Sequence, residues 1–384
     1  FFGGNIDVEG EHMDGLLTLG GGVLGADILI VGDIPNTDVN NLSLTFDGSI
    51  DLDDPGLISG TNYLVAQSLK NWVGPIQIHT SGDIQVLAEL DFANSTGFVP
   101  ELWLHAGEQL TINEAINING DMILMAGGSP STGDGGQPGL IEINAGLNAS
   151  GNILFDGVAE GFDPTNDLPY QNVISINTSD LISAGEELRF ADEARLFTDA
   201  NLAGNVIFEQ SISGTNIGDH DDLFGLSVAG NLDLRGDAGA STPSQGLRLR
   251  SLDVSGDLTL GAEKTIRVQK FIAANSFLAE AGSTIEIAAL PDEKGNLDLN
   301  NDLTANGDFT MIGNLTAKAR NLTVDGSLTT SSFIDMSLEL DGDLMIGGDL
   351  NTNGTADQIS DLNIASTGQM DITGSVNANS SDLT

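Results

Sequence analysis

The chain has 384 residues, with 56 acidic and 12 basic side chains and a formal net charge of −44. This charge all but excludes nucleic acid as a partner, because phosphate contact needs a basic surface. The absence of cysteine excludes a disulfide framework and cysteine-based zinc sites. No apolar run approaches the ~18 residues that a membrane-spanning helix needs, so we expect no membrane span.

One nine-residue pattern recurs along the chain: two alternating apolar residues, a glycine in the same phase, and two more apolar residues. Its clearest copy consists of Leu252, Val254, Gly256, Leu258 and Leu260. Period-two alternation is typical of a strand with one buried face. The residues between them, Asp253, Asp257 and Thr259, are therefore expected to be exposed. Further copies are centred on Gly48, Gly120, Gly151, Gly230, Gly307 and Gly342, with weaker ones at Gly82, Gly326 and Gly368.

The central glycine is predicted to form a corner, where the chain bends or needs a positive φ. A small polar residue usually follows it, such as Asp121, Asn231 or Asp308. Such residues suit a turn because they tolerate the left-handed conformation and hydrogen-bond locally.

A repeating unit that cannot bury its own apolar face must stack on its neighbours. The spacing from Gly230 to Gly256 is 26 residues and that from Gly307 to Gly326 is 19, within the range of solenoid repeats. We therefore predict an all-β fold, a parallel β-helix whose coils lie about 4.8 Å apart. Residues 1–384 are expected to form a single elongated solenoid.

Four segments interrupt the repeat and are expected to project from its corners. Residues 61–75 suit a short helix or a loop packed on the coil edge. Residues 125–139, 156–172 and 235–246 are rich in glycine, proline and polar residues and are predicted to be loops.

Residues 102–155 contain the segments LWLHAGEQLTINEAININGDMILMAGG and GLIEINAGLNASGNILFDG. In style these repeats resemble the filamentous-haemagglutinin-type exoproteins of two-partner secretion. The resemblance implies a right-handed β-helix on a secreted or surface-exposed bacterial protein. It specifies no ligand, and the secretion domain of that family is not evident.

Short-spaced carboxylates suggest sites for Ca²⁺, which takes six to eight oxygen ligands. The candidate ligands are Asp219, Asp221, Asp222, Asp51, Asp53 and Asp54. The alternative is that they are solvated corner residues, because clusters arise by chance in a chain with 56 acids.

Half of the basic residues fall within 235–270. They either pair with neighbouring acids or offer a contact patch for the acidic surface of another protomer. Arg235-Gly236-Asp237 is also the tripeptide of many integrin ligands, although Gly-Asp is the ordinary corner dipeptide of this chain.

The function predicted from these features is that of an extracellular structural or adhesive β-solenoid without catalysis. It is a protomer or segment of a bacterial surface filament or, alternatively, part of a large adhesin that acts as a monomeric stalk. A polysaccharide-active β-helix enzyme is the rival class. The partners expected are a second copy bound head to tail, further coils of a longer chain, and a host or neighbouring-cell surface. The repeat pattern reaches both ends, so the predicted assembly residues are Phe2, Ile6, Val8, Ile372 and Val376.

Overall fold

The chain divides into two compact units, Phe1–Arg195 and Leu196–Thr384. The structure, a computed structural model, describes residues 17–21, 29–30, 42–46, 50–53, 62–65, 74–80, 82–93, 99–127, 139–157, 172–214, 223–239, 249–287, 294–331, 335–353, 360–379 and 381–383.

The strands that begin in the first unit are β1 (Leu17–Gly21), β2 (Leu29–Ile30), β3 (Leu42–Phe46), β4 (Ile50–Asp53), β5 (Asn62–Val65), β6 (Ile76–Thr80), β7 (Ile84–Val86), β8 (Leu90–Asp91), β9 (Glu101–Ala106), β10 (Gln109–Ile112), β11 (Ile116–Ile118), β12 (Asp121–Ala126), β13 (Leu140–Ile143), β14 (Leu147–Ala149), β15 (Ile153–Gly157), β16 (Val173–Ile176), β17 (Leu181–Phe190) and β18 (Glu193–Leu196).

The strands of the second unit are β19 (Ala200–Phe208), β20 (Ile212–Gly214), β21 (Gly225–Ala229), β22 (Leu232–Leu234), β23 (Leu249–Val254), β24 (Leu258–Leu260), β25 (Thr265–Ala274), β26 (Phe277–Ala279), β27 (Ser283–Ile287), β28 (Gly295–Leu299), β29 (Leu303–Ala305), β30 (Phe309–Gly313), β31 (Leu315–Ala319), β32 (Leu322–Val324), β33 (Leu328–Ser331), β34 (Asp335–Leu340), β35 (Leu344–Ile346), β36 (Leu350–Asn353), β37 (Ser360–Ser366), β38 (Met370–Ile372), β39 (Val376–Asn379) and β40 (Ser381–Leu383).

The coils between β6 and β14 contain three short strands each, and equivalent strands of successive coils pair with one another. Strand β9 pairs with β6 and β12, β10 with β7 and β13, and β11 with β8 and β14. All of these pairings are parallel. The first unit is therefore a parallel β-solenoid with three faces.

The second unit repeats this arrangement. Strand β29 pairs with β26 and β32, β30 with β27 and β33, and β31 with β28 and β34, again in parallel. Leu232 pairs with Leu258, and Leu258 with Phe277, so successive coils advance by 26 and then 19 residues. The parallel β-solenoid predicted from the repeat is confirmed.

The core of each unit consists of the inward residues of the alternating strands. Leu252, Val254, Leu258 and Leu260 are buried, whereas Asp253 and Asp257 are exposed, as predicted. Thr259 is half-buried instead of exposed. In the first unit the fully buried rings of Phe155 and Phe190 stack 4.9 Å apart on successive coils. Burial of such columns is the main stabilising term, because a coil alone leaves its apolar face in water.

The small polar side chains that follow the corner glycines, such as Asp121, Asn231 and Asp308, bond to the adjacent coil and not locally, which corrects the sequence-based expectation. The amide of Gly256 donates to the carbonyl oxygen of Gly230 at 2.8 Å. The side chain of Asn231 accepts the amide of Asp257 at 3.0 Å. Of the described glycines at the centre of the pattern, only Gly230 has a positive φ, 146°. The glycine is needed mainly because backbones of successive coils approach closely.

The structure places some residues at the borders of the predicted insertions in strands. Asn62–Val65 form β5 within the segment expected to be a helix or loop, because the backbone of Leu64 pairs in register with that of Leu52 in β4; residues 66–73 lie outside the described ranges. Met125 and Ala126 end β12, and Asp156 and Gly157 end β15, because both pairs continue the register of the neighbouring coil.

The start of the predicted loop 235–246 belongs to the coil. Ala238 is fully buried and bridges Ile212 and Ile266 of the adjacent coils. A small apolar residue at an inward position therefore keeps residues 235–239 in the solenoid. Residues 128–138, 158–171 and 240–248, the middle of the three predicted loops, lie outside the described residues.

Candidate functional site

The last described coil of the second unit carries an apolar surface that earlier coils bury. Strand β38 pairs with β35, and β39 pairs with β36, so Met370 stacks on Leu344 and Val376 on Leu350. Leu344 and Leu350 are 0% exposed, whereas Met370 is 49% and Val376 46% exposed. The same inward columns therefore change from core to surface within one coil.

We call this surface the terminal face and define it as Met370, Ile372 and Val376 with strands β38 and β39. Ile372 is half-buried and stacks on the buried Ile346. Among the described strands, β38 and β39 each have a partner on one side alone. Their other edges carry backbone groups that can pair with a further strand.

A polar ladder runs to the terminal face along one corner of the coils. Asp308 accepts the amide of Ser327 at 2.7 Å, Ser327 that of Asp349 at 3.1 Å, and Asp349 that of Ser375 at 2.7 Å. Beside it, the amide of Gly374 donates to the carbonyl oxygen of Gly348 at 3.0 Å. Each earlier ladder side chain accepts a backbone amide of the next coil. Ser375 occupies the equivalent position in its own coil.

The terminal face combines exposed apolar side chains, one-sided strand edges and a ladder acceptor in one register. These groups complement another coil of the same kind, because its inward residues, edges and corner amides would match them. Of the predicted assembly residues, Ile372 and Val376 lie on this face, and Phe2, Ile6 and Val8 lie outside the described residues.

The predicted calcium ligands are only partly within the described ranges. Asp51 and Asp53 lie in β4 on either side of the buried Leu52; Asp54, Asp219, Asp221 and Asp222 lie outside. Across the described residues, no group of three or more histidine, aspartate or glutamate side chains converges on a metal position.

The arginines of the stretch 235–270 that the structure describes are engaged with nearby acids. Arg235 lies 2.7 Å from Glu209 and 2.9 Å from Asp233, and Arg267 lies 2.8 Å from Glu286. Arg250 contacts Asp199 at 2.5 Å. Local pairing, one of the two alternatives for this stretch, therefore accounts for these three side chains.

The Arg235-Gly236-Asp237 tripeptide forms a corner of the coil, directly before the bridge residue Ala238. Arg235 is ion-paired as described, Gly236 is buried, and Asp237 accepts the amide of Thr265 at 2.8 Å. Both charged side chains therefore have bonding partners within the second unit.

One cluster in the first unit was missed by the sequence analysis, which treated the four histidines as scattered. The outward, half-buried side chains of β6, β9 and β12 bring together His79, Trp103, His105 and Met125. The Nδ1 atoms of His79 and His105 are 3.3 Å apart, and Trp103 Nε1 donates to Met125 Sδ at 3.0 Å. The sequence could have indicated this cluster, because His79 and His105 are 26 residues apart and one coil can also span 26 residues.

Comparison of the chain with protein-family models, curated proteins and solved structures gives no match. The part of the chain that the structure describes holds no helix long and apolar enough to cross a membrane.

Proposed function

We propose that this chain is a structural or adhesive β-solenoid of a bacterial cell surface, and that its terminal face binds the first coil of a second copy. The observation that carries the proposal is the stacking of inward side chains in continuous columns, as in Leu232, Leu258 and Phe277, where each coil is covered by the next. A head-to-tail contact of this kind does not close on itself, so it produces a filament.

Two further features support a structural role. The corner ladders continue in register from coil to coil, so an added coil gains hydrogen bonds as well as apolar contact. The net charge of −44 keeps lateral faces of different copies apart, which favours end-to-end contact over side-by-side aggregation. The resemblance to haemagglutinin-type repeats agrees with an extracellular location.

The competing account is a stalk in which further coils of a longer chain cover the terminal face. Both accounts require the same stacked apolar columns. They differ in whether separate copies of the chain associate with one another. The experiment is therefore light scattering and electron microscopy of the purified 384-residue chain over a range of concentrations.

We expect concentration-dependent fibres, and we expect Val376→Lys to raise the concentration needed for assembly by at least about tenfold. Burying one valine contributes about 1.5–3 kcal/mol, and 1.4 kcal/mol corresponds to a tenfold change in affinity. The matched control is Met345→Lys, because Met345 is 48% exposed but points outward one coil earlier. A monomer at every concentration, or equal effects of the two lysines, would contradict assembly through the terminal face.

A further inference from the structure

The cluster on β6, β9 and β12 places three nitrogen and sulfur donors in one column of successive coils. His79 pairs in register with His105, and His105 with Met125. Stacked coils are about 4.8 Å apart, so the two imidazoles and the thioether are adjacent rungs. All three side chains are half-buried on the outer surface, which leaves them reachable from solvent.

The orientation of His105 is set by a backbone carbonyl. Its Nε2 lies 3.2 Å from the carbonyl oxygen of Gly127. Because a carbonyl oxygen only accepts, Nε2 carries the proton, and the Nδ1 of the neutral ring keeps its lone pair. That lone pair faces His79 Nδ1 at 3.3 Å. A carbonyl that fixes the tautomer in this way is the usual outer-shell partner of a metal-binding histidine.

The remaining side chains of the cluster suit a soft cation. Trp103 donates to Met125 Sδ, which orients the thioether and leaves the second sulfur lone pair available. The indole ring of Trp103 lies 5.4 Å from the imidazole of His79, and an aromatic face beside a cation is stabilising.

We propose that His79, His105 and Met125 bind a single soft monovalent cation, Cu(I). Thioether and imidazole ligands select Cu(I) over the oxygen-seeking Ca²⁺ and Mg²⁺. With metal–nitrogen bonds of about 2.0 Å, two nitrogens 3.3 Å apart subtend an angle of about 110° at the metal. This angle fits a trigonal or tetrahedral site that the sulfur completes. The chain has no cysteine, so no thiolate competes for the ion.

The test uses Ag(I), a redox-inert analogue of Cu(I), and the fluorescence of Trp103. The chain has two tryptophans, so a Trp72→Phe background makes Trp103 the only indole emitter. Titration with silver nitrate in chloride-free buffer is expected to quench this emission with a stoichiometry of one ion per chain. Under anaerobic conditions the protein should also remove Cu(I) from a chromogenic chelator, again at one ion per chain. Ca²⁺ and Zn²⁺ should leave the Trp103 emission unchanged.

Two substitutions and one matched control decide the assignment. Met125→Leu and His79→Gln are each expected to weaken binding by at least about tenfold, with unchanged circular dichroism. Met345→Leu, which removes an exposed thioether from the second unit, should bind as the parent does. Absence of saturable quenching, equal affinities in the Met125→Leu and Met345→Leu variants, or a tighter complex with Zn²⁺ would overturn the proposal.

Discussion

At the scale of single residues, corner glycines determine how closely two coils can approach. A Cβ atom on Gly256 would lie 2.4 Å from Asn231 Oδ1 and 2.6 Å from the carbonyl oxygen of Gly230. Neither atom can withdraw freely, because both hydrogen-bond to the next coil. The restriction at Gly256 is therefore contact between coils, and a positive φ has no part in it.

We expect Gly256→Ala to lower the free energy of unfolding by about 1–3 kcal/mol, measured by urea denaturation. Gly261→Ala is the matched control, since its nearest atom, the carbonyl oxygen of Leu234, would be 3.3 Å away. The control substitution should lower the free energy of unfolding clearly less. Equal losses in the two variants would contradict the account in which contact between coils restricts Gly256.

At the scale of strands, stability depends on columns of inward side chains in register across coils. Leu258 is fully buried and pairs with Leu232 on one side and Phe277 on the other. Removing it leaves a cavity that both neighbouring coils line.

We expect Leu258→Ala to lower the free energy of unfolding by about 2–5 kcal/mol, and Leu258→Asp to prevent folding of the surrounding coils, because an unpaired charge would be buried. Thr259→Ala on the same strand points outward and serves as the control in urea denaturation. A small effect of Leu258→Ala, similar to that of Thr259→Ala, would contradict the stacked-column account.

The sequence predicted these strands well because period-two burial is a local property. The nonapeptide at 252–260 already identifies the inward residues and the corner. The register between coils depends on loops of variable length, so the pairing of His79 with His105 and the bond from Asp257 to Asn231 could not be derived from adjacent residues. Ala238 shows the same limit: its buried position follows from pairing with distant coils within a stretch whose composition is typical of a loop.

At the scale of the whole molecule, the dominant property is an excess of 44 negative charges. The corner ladders reduce repulsion locally by alternating charged and neutral residues. Asp308 and Asp349 are separated by Ser327, which places the two carboxylates about 10 Å apart, two coil spacings. This distance is close to the Debye length of about 10 Å at 0.1 M ionic strength. Salt therefore screens the repulsion that remains between the alternating carboxylates.

We therefore expect the melting temperature to rise as NaCl is increased from about 0.01 to 0.5 M, because screening relieves self-repulsion of the compact state. Thermal melts monitored by circular dichroism, with a chelator present, measure this effect. A parallel series with CaCl₂ at matched ionic strength separates screening from binding. Equal melting temperatures in all conditions would contradict the electrostatic account. A larger rise with CaCl₂ would instead indicate a specific calcium site, for which Asp51, Asp53 and Asp54 or Asp219, Asp221 and Asp222 are the predicted ligands, and alanine substitution of each group would identify it.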